Sequence, residues 1–215
     1  MQKKWQILDF KESNGKEQME IDELLLDKRI NNEIPNTLRF YSWKPSCITY
    51  GFFQTIEEEV NEDIRQRFGF DLVQRITGGG CVLHDNELTY SIIVAENDIP
   101  LNDKKDILES YKLICSCLVN ALQSLGIPAK HKPINDIIVD DKKISGNAQT
   151  RKGNVMLMHG TILLDVDKER FKVLKKAKLD KITSIKDLKN YTKKEITKED
   201  LIEAITKEFK KVFKF

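Results

Sequence analysis

The sequence contains no apolar run that approaches the ~20 residues a membrane-spanning helix requires, so we expect no membrane segment. Its basic start, Met1–Trp5, is followed by charged residues rather than by the apolar core of a signal peptide. Both absences favour a protein of the cytoplasm. No internal repeat or linker interrupts the 215 residues, which suit a single domain over 1–215 with a core of its own.

Two further absences narrow the class of protein. The four cysteines show no Cys-x-x-Cys spacing, and no histidine stands at a zinc-ligand interval from them, which argues against a disulfide framework and a structural zinc. An excess of one charge sign is also missing, because 36 basic residues are interleaved with 34 acidic ones. Such a balanced surface does not indicate nucleic-acid binding.

Alternating patterns predict an α/β (α+β) fold in which helices flank a mixed β-sheet. Apolar residues recur at helical spacing over 107–125, and a Gly-Ile-Pro sequence ends this helix. Thr55 and Glu58 predict a capping box for a helix that ends near Arg67. Further helices are predicted over 16–29 and 197–215, and strands over 6–10, 38–41, 47–52, 70–75, 88–94, 137–139, 143–149, 155–159 and 161–164.

The most informative feature is the run Thr77-Gly-Gly-Gly-Cys-Val-Leu-His-Asp85 between two predicted strands. Consecutive glycines let the backbone approach a ligand closely and turn several N–H groups towards one anion, for which a phosphate is the natural candidate. Arg75, just before this glycine loop, would add a positive charge. A Gly-Gly-Gly sequence alone is more often a tight turn, so the motif needs support from elsewhere.

A second motif, Lys142-Lys-Ile-Ser-Gly-Asn-Ala-Gln149, supplies that support. Forming an acyl-adenylate from ATP requires cations that offset the phosphate charges and orient the attacking carboxylate, and Mg²⁺ would shield the pyrophosphate. Lys143 is able to touch both the carboxylate and the phosphate. It would later stabilise the negative charge that develops when an acceptor lysine attacks. Taken alone, a lysine in a Lys-Lys pair is usually a solvent-facing charge.

Three motifs together resemble the lipoate–protein ligase A family over most of the chain. They are Arg75-Ile-Thr-Gly-Gly-Gly-Cys-Val-Leu-His-Asp85, Asn135-Asp-Ile-Ile-Val-Asp-Asp-Lys-Lys-Ile-Ser-Gly-Asn-Ala-Gln149 and His159-Gly-Thr-Ile-Leu-Leu164. Their order and spacing are specific. The resemblance implies the catalytic-domain fold shared by biotin and lipoate ligases, which is akin to class II synthetase cores.

Carried over by position, the resemblance makes Lys143 the catalytic residue and Asp136 a ligand of Mg²⁺. Where family members often carry two arginines before the glycine loop, this chain has Gln74-Arg75, so one expected cation is missing. The resemblance also implies a pocket for the acyl group and ATP, formed by Arg75, Thr77, Gly78, Gly79, Gly80, Cys81, Val82, His84, Asn135, Asp136, Ser145, Gly146, Ala148, His159, Gly160 and Thr161.

The expected function is that of a lipoate–protein ligase. Such an enzyme activates lipoate with Mg–ATP to lipoyl-AMP and transfers the lipoyl group to a lysine of an acyl-carrier domain. The resemblance implies ATP, Mg²⁺ and lipoate as ligands, and a glycine cleavage H protein or a 2-oxoacid dehydrogenase E2 protein as acceptor. Two-domain ligases of the family carry a further C-terminal domain, so a separate accessory protein is an open alternative.

Two other functions stay open. Relatives that transfer octanoyl or lipoyl groups between carriers use a cysteine nucleophile and no ATP, and Glu87-Leu-Thr-Tyr-Ser91 resembles some of them. In the most similar transferases that thiol precedes the strand that here begins at Asn135, yet residues 129–134 contain no cysteine. Cys81 is the only cysteine inside a motif, and its loss would abolish a thiol-dependent transfer. The third possibility is a non-catalytic lipoate-binding subunit of a split ligase.

Overall fold

The computed structural model describes residues 4–192 and 194–215. Its strands are β1 Trp5–Ile7, β2 Lys11–Ser13, β3 Asn36–Trp43, β4 Cys47–Tyr50, β5 Asp71–Gln74, β6 Val82–His84, β7 Glu87–Ala95, β8 Lys130–Lys132, β9 Asp136–Val139, β10 Lys142–Lys152 and β11 Val155–Leu163. Its helices are α1 Gly15–Ile30, α2 Ile56–Glu59, α3 Glu62–Phe68, α4 Ile107–Ser124, α5 Lys168–Phe171 and α6 Lys198–Phe213. Within the described residues no helix combines the length and apolarity that a bilayer-spanning segment requires.

The larger sheet has the strand order β1-β3-β7-β11-β10-β9-β8, with β2 beside the second half of β3. Pairing is parallel where β1 and β2 meet β3 and antiparallel between the other neighbours. A smaller sheet has the order β5-β4-β6, with β5 parallel and β6 antiparallel to β4. The mixed sheet flanked by helices that the sequence predicts is therefore confirmed.

The central strand β7 is buried over nearly all of its length because apolar layers cover both faces of the sheet. Ile92 belongs to the main core, together with Leu118 of α4 and Phe209 of α6. Its neighbour Ile93 points the other way and packs in a second cluster with Leu25 of α1. Since successive side chains of a strand face opposite sides, one strand supplies two separate apolar layers.

Helix α4 and the hairpin that follows it agree with the sequence prediction. The helix ends just before Gly126, whose φ of 92° lies in the left-handed region that favours glycine. Between β9 and β10, Asp140 and Asp141 have φ values of 48° and 59°, as in the two-residue turns that match strand twist. This turn sets the register that pairs Lys143 with Ile138.

The prediction of one helix from Thr55 to Arg67 is wrong. The Thr55 side chain makes no capping hydrogen bond, and α2 ends after one turn. The chain is extended at Val60, which forms a bridge with Leu174. A separate helix, α3, then begins behind Asn61, whose side chain accepts an N–H of the first turn. Pairing with a distant segment therefore outweighs the local capping signal.

The predicted break between two strands at Gly160 is also wrong, because β11 runs uninterrupted from Val155 to Leu163. Gly160 pairs with Asn147 of β10. A Cβ at Gly160 would lie 2.0 Å from Asn147 Oδ1 and 2.9 Å from the Gly146 carbonyl oxygen. The glycine therefore permits two strands to approach closely rather than a turn.

Candidate active site

A cavity of about 130 Å³ opens between the glycine loop, β10 and β11. The three sequence motifs, which are distant along the chain, meet in its wall. Most of the expected site residues line it, namely Arg75, Gly79, Gly80, Cys81, Val82, His84, Asn135, Lys143, Gly146, Ala148, His159, Gly160 and Thr161.

The remaining expected site residues lie just off this surface. Thr77 is fully buried below the glycine loop, and Ser145 is buried on β10. Gly78 lies within the loop and turns its carbonyl inward to a buried guanidinium. Asp136 is outside the lining but pairs with Lys143, which belongs to it. Their places are therefore beneath or beside the cavity rather than in its lining.

Lys143 lies half-exposed in the cavity wall, with its Nζ 2.6 Å from Asp136 Oδ1. Its side chain passes over Gly146, where a Cβ would lie 2.7 Å from both Cε and Nζ of the lysine. Gly146 thus leaves the space that the ammonium occupies. Asp136, expected to bind Mg²⁺, is the ion-pair partner of Lys143 here. Residues 4–192 and 194–215 contain no cluster of three side chains suited to a metal ion.

Sequence reasoning missed part of the cavity wall. Asn147 lines the cavity but was not predicted as a site residue. Its Oδ1 accepts from the Tyr90 hydroxyl and its Nδ2 donates to the Asn135 carbonyl, both at 2.8 Å. Its place inside the second motif was an available signal. Tyr41 and Trp43 of β3 and Thr49 of β4 lie outside the three motifs, so the motifs gave no reason to place these side chains at the site. The lining residues missed were Met19, Tyr41, Trp43, Thr49, Thr89 and Asn147.

Arg75 is buried, and its guanidinium is fully hydrogen-bonded within the protein. Nε donates to Thr77 Oγ1 (3.2 Å), and Nη1 donates to the carbonyl and hydroxyl oxygens of Thr49 (3.3 and 3.2 Å). Nη2 donates to the carbonyls of Gly78 (2.8 Å) and Gly80 (2.7 Å). These bonds use the five N–H donors of the side chain. Burial lowers the pKa of Arg75 to about 10, so it stays charged at neutral pH and organises the glycine loop.

A buried chain of polar groups leads from Arg75 through Thr77 to helix α1. Thr77 Oγ1 lies 2.7 Å from His159 Nε2, and His159 Nδ1 lies 3.1 Å from Asp22 Oδ2. Although burial opposes ionisation, hydrogen bonds from His159 and Arg39 hold the pKa of Asp22 below its ordinary value. Burial lowers the pKa of His159, so this ring is neutral at neutral pH.

A second hydrogen-bonded chain, again of a carboxylate, a histidine and a threonine, reaches Arg75 from strand β7. Thr49 Oγ1 lies 2.8 Å from His84 Nε2, and His84 Nδ1 lies 2.6 Å from Glu87 Oε1. The indole of Trp43 stacks on the His84 ring with centroids 3.9 Å apart, which fixes the ring plane. Two carboxylate–histidine–threonine chains therefore converge on one guanidinium.

The directions of these hydrogen bonds follow from the carboxylates, because a carboxylate only accepts. Asp22 therefore accepts from the Nδ1–H of His159. Since this ring is neutral, its Nε2 carries no hydrogen and accepts from the Thr77 hydroxyl, whose oxygen accepts in turn from Arg75. The same contacts recur in the second chain, from Glu87 through His84 to Thr49.

Cys81 is the only cysteine among the described residues that lines the cavity. It is partly exposed, and burial raises its pKa to about 11 against the opposing charge of Arg75. Cys115 and Cys117 pack in the main core, where burial raises the pKa of each to about 12. Cys47 is buried in another apolar cluster. A thiol reaction in this cavity would therefore use Cys81.

The fold and cavity define a catalytic domain of the mixed α/β class. The chain belongs to the family described as the lipoyl protein ligase A/B catalytic domain, whose model matches residues 14–210. The octanoyltransferase LipM of Clostridioides difficile (strain 630) is 38% identical over 191 residues, covering 80% of this chain and 70% of that protein. LipM of Geobacillus kaustophilus (strain HTA426) is 35% identical over 188 residues, covering 77% and 67%.

A solved structure supports the fold. The bi-partite lipoate protein ligase from Thermoplasma acidophilum superposes with a TM-score of 0.80 and 23% identity, covering 100% of this chain and 84% of that one. At this identity the similarity establishes the fold alone. The expected catalytic-domain fold and the family resemblance are therefore both confirmed.

The prediction that the protein is an ATP-dependent lipoate–protein ligase is wrong. The relatives at 38% and 35% identity are named octanoyltransferases, which is the enzyme class that stood as the alternative to a ligase. The site agrees with this correction in one respect, since every N–H of the Arg75 guanidinium is hydrogen-bonded within the protein and none is left for a phosphate. The expected need for ATP and Mg²⁺ loses its support with the ligase assignment.

Proposed function

We propose that this protein is an ATP-independent acyltransferase that moves an octanoyl or lipoyl group from a carrier thioester to a lysine of an acceptor domain. An acceptor of the glycine cleavage H-protein or 2-oxoacid dehydrogenase E2 type fits this chemistry. The observation that carries the proposal is the presence of Cys81 and Lys143 in the wall of one small cavity. The octanoyltransferase relatives support the choice of acyl group.

The cavity offers apolar surface for an acyl chain. Met19, Trp43 and Val82 contribute to its lining, so methylene groups would leave water on binding. Each buried methylene stabilises the complex by about 0.8 kcal/mol. A medium-length chain would therefore bind mainly through burial, with the polar groups reserved for its carbonyl end.

In the first step the Cys81 sulfur attacks the carbonyl carbon of the donor thioester. A new carbon–sulfur bond forms as the bond to the carrier sulfur breaks, and the Cys81 proton leaves with the carrier thiolate. Negative charge develops on the carbonyl oxygen in between. The Lys143 ammonium and N–H groups of the glycine loop are the donors that would stabilise it. Among the described residues, none accepts the N–H of Gly79.

In the second step the amine of the acceptor lysine attacks the Cys81 thioester. A carbon–nitrogen bond forms, the carbon–sulfur bond breaks, and one amine proton passes to the sulfur, which restores the thiol. The donor thioester already carries the acyl group in activated form. The cycle therefore needs no ATP, and Lys143 stabilises the same oxygen in both steps.

Intact-mass analysis of an unmodified acceptor domain tests the proposal. The domain is incubated with this protein and an octanoyl-carrier thioester in the absence of ATP. We expect an octanoyl mass shift that disappears when the acceptor lysine is replaced by arginine. A shift seen only with free octanoate and Mg–ATP, and not with the thioester, would overturn the proposal.

A further inference from the structure

Arg75 holds the glycine loop through its carbonyls, and this sets the direction of the loop N–H groups. The peptide groups of the loop are trans, so the C=O and N–H of each unit point in opposite directions. Because the carbonyls of Gly78 and Gly80 face Arg75, the N–H groups of Gly79 and Cys81 point away from it. A shift of the guanidinium would turn both N–H groups.

The guanidinium is in turn held on two sides by threonine hydroxyls. Thr77 accepts from Nε, Thr49 accepts from Nη1, and each hydroxyl is anchored by its own histidine and carboxylate. The anchors come from different layers of the fold, since Asp22 lies on α1 and Glu87 on β7. Thr77 is fully buried, so its hydroxyl acts on the loop without touching a ligand.

We propose that Thr77 and Thr49 are positioning residues for acyl transfer. They lock the Arg75 guanidinium, which directs the N–H groups of Gly79 and Cys81 towards the reacting carbonyl. This inference rests on the proposed function, because it assigns those N–H groups to the oxyanion of that reaction.

Thr37 provides a matched control for the loss of a buried hydroxyl. It is fully buried on β3, outside the cavity lining, and its Oγ1 accepts from Gln6 and donates to the Pro35 carbonyl. A Thr37→Val variant therefore loses buried hydrogen bonds as Thr77→Val does. Only Thr77→Val also removes the hydroxyl that accepts from Arg75 Nε.

Steady-state transfer by these variants separates positioning from stability. We expect Thr77→Val to lower kcat about tenfold or more, with an unchanged KM for the acyl donor, because misdirected N–H groups fail in the transition state. Thr77→Ser keeps the hydroxyl and should restore kcat, while Thr37→Val should keep kcat despite a lower melting temperature. A kcat for Thr77→Val within about twofold of that for Thr37→Val would overturn the proposal.

The double variant Thr49→Val/Thr77→Val tests whether both hydroxyls act through Arg75. Residues that act through a shared partner are not additive. We therefore expect a combined loss of kcat smaller than the product of the two single losses. Losses that multiply would contradict a shared route through the guanidinium.

Hydrogen exchange of the Arg75 Nε–H, followed by NMR, requires no turnover. In the wild type this hydrogen is buried against Thr77 Oγ1, so its exchange should be slow, and Thr77→Val should accelerate it while Thr37→Val leaves it unchanged. An unchanged exchange rate of the Arg75 Nε–H in Thr77→Val would overturn the positioning role of Thr77. A wild type that fails to transfer without ATP would instead overturn the proposed function, so the two failures are distinguishable.

Discussion

Lys143 Nζ lies 2.6 Å from Asp136 Oδ1, and the lysine side chain passes over Gly146 of β10, which has no side chain to obstruct it. The carboxylate draws the ammonium over the glycine, and the glycine leaves the space for it. Charge and local backbone thus work together to hold one flexible side chain at the cavity.

Replacing Lys143 with alanine should reduce the transfer rate about 100-fold or more, because the variant loses a cation beside the developing oxyanion. The melting temperature should change little, since the side chain is 44% exposed. Lys130→Ala is the matched control, because Lys130 is an exposed lysine that pairs with Ile138 as Lys143 does. A transfer rate in Lys143→Ala equal to that of Lys130→Ala would contradict the assigned role.

Alanine at Gly146 and at Gly160 should have different effects. At Gly146 the added Cβ meets the flexible end of Lys143, so we expect a lower transfer rate with little loss of stability. At Gly160 it meets Asn147 Oδ1 and a backbone carbonyl, so the free energy of unfolding should fall by about 1–3 kcal/mol. Transfer assays and denaturant unfolding check both. Equal stability losses in the two variants would show that Lys143 does not occupy the space over Gly146.

A covalent acyl-enzyme should form on Cys81 when the octanoyl-carrier donor is supplied without an acceptor. Mass spectrometry should detect one octanoyl group on the wild type and none on Cys81→Ala. Cys115→Ala is the control, since this buried core thiol does not line the cavity and its loss should leave the adduct intact. An adduct that persists in Cys81→Ala would place the acyl group on another residue.

Alkylation of Cys81 by iodoacetamide should accelerate as the pH rises. The reactive species is the thiolate, and burial raises the pKa of this thiol to about 11, so its thiolate fraction is small at neutral pH. The rate should therefore increase about tenfold per pH unit between about pH 7 and pH 10. Peptide mapping measures it at Cys81 alone. A rate that is flat over this range would mean that the thiol is already ionised.

The sequence predicts the local parts of the structure well. Helix α4 and the turn at Asp140–Asp141 follow from apolar periodicity and from residues that tolerate positive φ, and both depend on near neighbours. The two hydrogen-bonded chains that converge on Arg75 depend instead on residues that are distant in the sequence. Asp22 and His159 are 137 positions apart, and no spacing rule connects them. From the sequence alone, Arg75 was expected to face a phosphate, whereas its N–H groups donate to carbonyls of the glycine loop.

The capping box at Thr55 failed for a related reason. Thr55 and Glu58 have the right spacing, but the backbone at Val60 and Asn61 pairs with the segment around Leu174 instead of continuing the helix. A local signal of this strength contributes about 1 kcal/mol, which a few tertiary hydrogen bonds outweigh.

The convergence on Arg75 also bears on when the chain becomes competent during folding. Asp22 reaches His159 only after α1 has docked on the sheet, and His84 reaches Thr49 only after β6 has paired with β4. Until both layers are assembled, the guanidinium lacks one of its two supports. The glycine loop therefore acquires its working shape late, and a partly folded chain would expose its thiol without the surroundings needed to use it.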